Sequence, residues 1–211
     1  MIDLFPENDL AFFTPFYLLS TLATINYCTS DGVLISHQKL LVRWPVYAIT
    51  GFVGLFVVVV TALWLYGHVV QGEVIDQTAW IILGASILRL LTVIIALASI
   101  QQWGEKLATW IILGGLSGAA SAQLAYPVAE LVVKLVILAG LLEYPAKGVG
   151  NMTPTGWFNL AAVWFIFGLP GIFFVQAARN YRDRKGLSNT WVWLGSLLGI
   201  IALVSIGLLI G

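Results

Sequence analysis

Long apolar stretches alternate along the chain with short polar ones. Seven apolar segments stand out, at 10–27, 45–67, 79–103, 107–125, 127–143, 156–178 and 190–210. A helix needs roughly 20 apolar residues to cross the hydrocarbon core of a bilayer. These runs are continuous rather than alternating, which predicts helices and not outer-membrane strands. The interruptions TSDG (29–32), GEVIDQ (72–77) and KGVGNMTPTG (147–156) read as turns, because Gly, Pro, Asn and Asp punctuate regular structure. The pairs Tyr126-Pro127 and Tyr144-Pro145 bracket the fifth segment and read as helix ends. Tyrosine favours a membrane interface, and proline is tolerated at a helix start. Trp80, Trp103, Trp110, Trp157, Trp191 and Trp193 lie near segment ends, as an aromatic belt requires.

Composition fixes the environment. Hydrophobic residues make up 60% of the chain and charged residues 9%, whereas soluble domains carry about 25% charged residues. The expected fold is therefore an all-α polytopic membrane bundle of six or seven spanning or re-entrant helices, with residues 1–211 as a single transmembrane domain. Net charge is zero and no long basic run occurs, so nucleic acid is not an expected partner. The single cysteine, Cys28, excludes an intrachain disulfide. Asp3, Glu7 and Asp9 precede the first segment, where a secretory leader would carry basic residues, so that segment is expected to be retained.

Basic residues outside the segments set up two arrangements. If all seven segments cross, Lys39, Arg43, Lys106 and Lys147 share one side against Arg179, Arg182, Arg184 and Lys185, a tie that fixes no orientation. If 104–145 crosses once, seven of these eight fall together and only Lys147 is opposite, along with Glu73, Asp76 and Glu143. Basic bias sets topology. The second arrangement makes 107–125 a re-entrant or interfacial piece ahead of a true span at 127–143.

The costly residues carry the functional argument. Glu130 and Lys134 stand four apart, on one helix face, in the favourable order for an ion pair. Gln123 falls near the same face. A charge near the bilayer centre costs about 2.5–3.5 kcal/mol, so this face should look into the protein or a wet cavity. Arg89 lies near the middle of its segment, and Glu130 is its expected bidentate partner in an Arg89–Glu130–Lys134 cluster. A lone arginine snorkelling to an interface is the alternative.

Gly114-x-x-x-Gly118 is a small-residue pattern for close helix contact. In the same stretch, Gly115-Leu116-Ser117-Gly118 resembles the GxSG motif of rhomboid intramembrane proteases. That resemblance implies a nucleophile at Ser117 served by a histidine on a later span. Both histidines, His37 and His68, come earlier in the chain, and a serine without its base is a weak nucleophile, so packing is the expected role. Gly168, Pro170 and Gly171 should kink or break the sixth helix. His37 and His68 flank the second segment and cannot share a haem through it. No cofactor and no metal is expected. The basic stretch 179–185 is expected to be cytoplasmic, in a bacterial-type inner membrane. Two function classes follow: a transporter or channel passing a small solute or ion along Arg89, Gln123, Glu130 and Lys134, or a non-catalytic assembly subunit whose small-residue seam binds a partner subunit or a second copy. An enzyme is the less favoured reading.

Overall fold

The computed structural model describes residues 31–72, 74–142 and 148–210, with side chains from 43 to 208 within those ranges. The first apolar segment, 10–27, lies outside them. Of the described residues 88% are helical and none is in a strand. By its internal contacts the chain divides into Met1–Lys39 and Leu40–Gly211. Of the first unit only the helical stretch from Asp31 is described. The second unit contains the remaining helices.

Among the described residues the α-helices are, in order, α1 Asp31–Leu65, α2 Gln77–Ala98, α3 Thr109–Leu138, α4 Pro154–Val163, α5 Leu169–Lys185 and α6 Asn189–Ile210. A π-helical turn, Tyr66–Val70, extends α1, and a second, Trp164–Gly168, joins α4 to α5 in one rod. Five helices among the described residues are long and apolar enough to cross a membrane: Arg43–Val70, Gln77–Ala98, Thr109–Leu138, Pro154–Lys185 and Asn189–Leu208.

The main departure from expectation is α3. Segments 107–125 and 127–143 form one helix of 30 residues that runs straight through Tyr126-Pro127. Among the described residues of this interval there is neither a re-entrant piece nor a second crossing, and Tyr126-Pro127 ends nothing. Proline in a helix interior costs about 3 kcal/mol in water, but neighbouring helices re-satisfy the freed backbone in a membrane bundle. Pro127 is buried among such neighbours. Of the expected TSDG turn, Asp31 and Gly32 belong to α1, which continues through Pro45, while Thr29 and Ser30 lie outside the described residues.

The core is a set of helical stripes. Val46, Ile49, Val53 and Val57 line α1, and Val93, Ala96 and Ala98 line α2. Ile112, Leu113, Leu116, Ala119 and Ala120 line α3, facing Phe174, Ala177, Ala178 and Tyr181 of α5. Spacings of three and four residues put each set on one side of its helix. Helix α3 is the hub, packing against α6, α5 and α2. Edge-to-face pairs Trp44–Phe173 (5.4 Å) and Phe52–Phe165 (5.1 Å) bring α1 against the α4–α5 rod.

Three side-chain ties mark the ends of the bundle. Arg184 donates Nη2–H to the Ser99 carbonyl (2.8 Å), joining the C-terminal ends of α5 and α2. Trp64 donates to the Ala79 carbonyl (3.0 Å) and Lys134 to the Asn151 carbonyl, joining ends at the opposite pole. The connections 99–108 and 186–188 thus share one pole, and 71–76 shares the other with the turn at 148–153. A single α3 across the interval 104–145 is the arrangement that groups seven of the eight basic residues. Cysteines placed at Val149 and Ser188 on a Cys28→Ser background should accordingly react with membrane-impermeant maleimide from opposite sides. Labelling of both from one side would contradict the single crossing.

Candidate functional site

Two constellations emerge where sequence spacing suggested one. The first lies on the inward stripe of α3, which continues from Leu116 and Ala120 through Pro127 to Glu130 and Lys134. Glu130 is 3% exposed and Lys134 is fully enclosed. Their ion pair measures 3.5 Å. The inward orientation expected from insertion cost is what the structure shows.

Lys134 owes its enclosure to the chain that leads into α4. Gly148 adopts a left-handed conformation (φ 76°) at the start of a 3₁₀ turn. Asn151 then closes that turn through its N–H to the Gly148 carbonyl (3.0 Å). The Asn151 Oδ1 accepts from the Thr153 N–H (2.9 Å) and hydroxyl (2.7 Å). Thr153 in turn caps α4 at the Gly156 N–H, and Pro154 supplies the first helical position. This locked turn aims the Asn151 carbonyl at the Lys134 ammonium (2.5 Å). Trp157 covers the ammonium at 5.5 Å from its ring centre. A Cβ on Gly156 would overlap the same carbonyl, so the turn seats closely only because residue 156 lacks one.

Depth separates this pair from the membrane centre. With α3 centred in the bilayer at 1.5 Å rise per residue, Lys134 stands ~16 Å from the midpoint, at the edge of a hydrocarbon core ~30 Å thick. Gln123 is the residue at the α3 midpoint, half-buried where Gly171 of α5 comes close. Gly171 permits that approach, since a Cβ there would stand 2.7 Å from Leu124 Cγ.

The second constellation is centred on Arg89, and here the expected cluster is corrected. Among the described residues Arg89 makes no ion pair with Glu130. Its guanidinium carbon lies over two phenyl rings, 4.2 Å from the Phe56 centre and 4.6 Å from the Phe167 centre. Aromatic faces attract a cation through their quadrupole. Arg89 sits between the buried positions Ser86 and Val93 on the inward face of α2, so it does not snorkel along the outside of the bundle. Phe56, Arg89 and Phe167 each fall within about one helical turn of the midpoint of their span. Three spans therefore meet at this cation.

Phe167 reaches that position from the π turn Trp164–Gly168. Pro170, at the start of α5, lacks the N–H that would continue the ladder, and the backbone widens just before it. Gly168 fits beneath the Trp164 ring, which a Cβ would strike. The break expected at Gly168, Pro170 and Gly171 is thus a π turn inside a continuous rod.

The small-residue seam closes within the chain. A Cβ on Gly118 would approach the Gly195 carbonyl oxygen to 3.0 Å, and one on Gly199 would overlap the Gly118 carbonyl. Ser121 donates across the contact to the Ser196 carbonyl (2.9 Å). Ser117 is 2% exposed, and its hydroxyl donates to the Leu113 carbonyl (2.8 Å), as a packing serine does. Gly195-x-x-x-Gly199 was visible in the last segment as the counterpart of Gly114-x-x-x-Gly118. Nothing in the sequence marked Phe56, Phe167 or the Asn151 carbonyl. No protein-family model, curated protein or solved structure matches the chain.

Proposed function

We propose that the protein is a small membrane transport protein, a transporter or channel whose solute or ion passes Arg89 at mid-span. The observation that carries this reading is the half-buried guanidinium against Phe56 and Phe167 on the inward face of α2. Ionisable groups at membrane depth are expensive and mark solute paths or relays. An interrupted helix beside such a group is the element transporters reuse at their binding sites, and the π turn ahead of Pro170 supplies one. Gln123 stands at the same depth on α3, while Glu130 and Lys134 line the pole that carries the Asn151 turn. The bias of basic residues supports a cytoplasmic side for 179–185, and a bacterial-type inner membrane is part of this proposal. The assembly-subunit reading has no comparable support, because the seam it relied on is occupied by α6.

Purified protein reconstituted into vesicles should carry labelled acetate, phosphate, chloride or potassium above the rate of protein-free vesicles. Arg89→Ala should lower that flux about tenfold or more at equal insertion. Wild-type vesicles no more permeable than empty ones to all four would remove the transport reading.

A further inference from the structure

We propose that Arg89 is the docking point for a small oxyanion, a carboxylate or phosphate, held by the in-plane edge of the guanidinium. As a statement about cargo this rests on the transport reading; as a binding site it stands on geometry alone. The Arg89 Cζ lies over the Phe56 ring at 4.2 Å and over the Phe167 ring at 4.6 Å. Ring faces take no N–H in the manner of an oxygen acceptor, and the N–H groups of a guanidinium point outward within its plane. Among the described residues no carboxylate, carbonyl or hydroxyl takes those hydrogens. The Lys134 ammonium shows the contrast, with Glu130, the Asn151 carbonyl and the Trp157 ring all committed to it.

A guanidinium half-buried at mid-span must meet an acceptor from elsewhere. The fork geometry selects the class. Two parallel N–H groups match two oxygens of one anion, which a spherical halide does not offer. The Phe56 and Phe167 rings crowd the guanidinium carbon from α1 and from the π turn, which adds a steric criterion to the charge.

Calorimetric titration of the detergent-purified full chain with acetate and with inorganic phosphate, at constant ionic strength in chloride, tests this. Saturable binding of either anion is expected in the presence of excess chloride. Arg89→Lys keeps the charge and loses the fork, so it should weaken binding about tenfold or more. Phe56→Leu removes one ring, leaves Arg89 in place, and should weaken binding by a smaller factor. Absence of saturable binding to the wild-type protein overturns the proposal, as does binding that neither substitution changes. Assembly with a second membrane protein that Arg89→Lys abolishes, without anion binding, also overturns it and assigns the fork to a partner's carboxylate. Binding without flux removes the transport reading and leaves the site; flux without binding does the reverse.

Discussion

Lys134→Met should destabilise the folded protein by about 3–5 kcal/mol, the range for removing one member of a buried ion pair. The side chain is fully enclosed, so no solvent replaces the lost partner. Glu130 would lose its ammonium partner, and the Asn151 carbonyl would lose its donor. Glu130→Gln retains a polar group beside Lys134 and should cost less. The double variant should cost well under the sum of the two single ones, because it leaves no unmatched buried charge. Reversible denaturation in mixed micelles measures all three. A Lys134→Met penalty below about 1 kcal/mol would mean that the enclosed lysine is not held as an ion. The substitution also tests position, since loss of this tie should free the Asn151 turn while leaving the poles of α2 and α5 joined through Arg184 and Ser99.

Gly199→Leu should detach α6 from the bundle. Only 6% of its apolar window is buried, against 22–28% in the other four spans. Its attachment therefore depends on the seam with α3, where even one carbon at position 199 overlaps the Gly118 carbonyl and stands 2.5 Å from Ser121 Oγ. Overpacking between movable side chains typically costs about 1–3 kcal/mol, but here the obstacle is backbone on both sides. Disulfide formation between Ser121→Cys and Ser196→Cys, on a Cys28→Ser background, should fall about tenfold or more. Gly207→Leu is the matched control, because a Cβ at Gly207 meets nothing within 4 Å. Equal crosslinking in the Gly199 and Gly207 variants would show that α6 is held some other way.

Helical character and membrane environment were legible in the sequence because lipid leaves a chain few alternatives. Apolar runs must satisfy their own backbone, and the segments within the described residues are helical. Boundaries were less legible where proline was read by its behaviour in water. At Pro127 the surrounding helices outweigh the local penalty, so two segments became one. The inward face of Glu130 and Lys134 was expected from the cost of charge at the bilayer centre, yet Lys134 stands at the edge of the hydrocarbon core, so its enclosure owes more to the Asn151 turn than to that cost. The partner of Arg89 did not follow. Sequence reasoning matched charge with charge, whereas the fold met the guanidinium with aromatic faces from helices far apart in the chain. No local spacing encodes a meeting of residues 56, 89 and 167. Likewise the Asn151 carbonyl belongs to the backbone, and its role depends on how a turn is aimed rather than on which side chain it bears.

The π turn at Trp164–Gly168 has a further consequence as a shift of phase. An α-helix advances about 100° per residue, and a π turn absorbs one residue beyond that count. Upstream of it Trp157 faces the Lys134 pole, and downstream Gly171 meets Leu124 while Arg184 reaches Ser99. In an uninterrupted ladder the downstream set would be rotated by about one residue's angle relative to the upstream set. A single helix can therefore meet α3 correctly at both ends only because its middle is out of step, and the length of those five residues is as much a part of the protein's information as their identity.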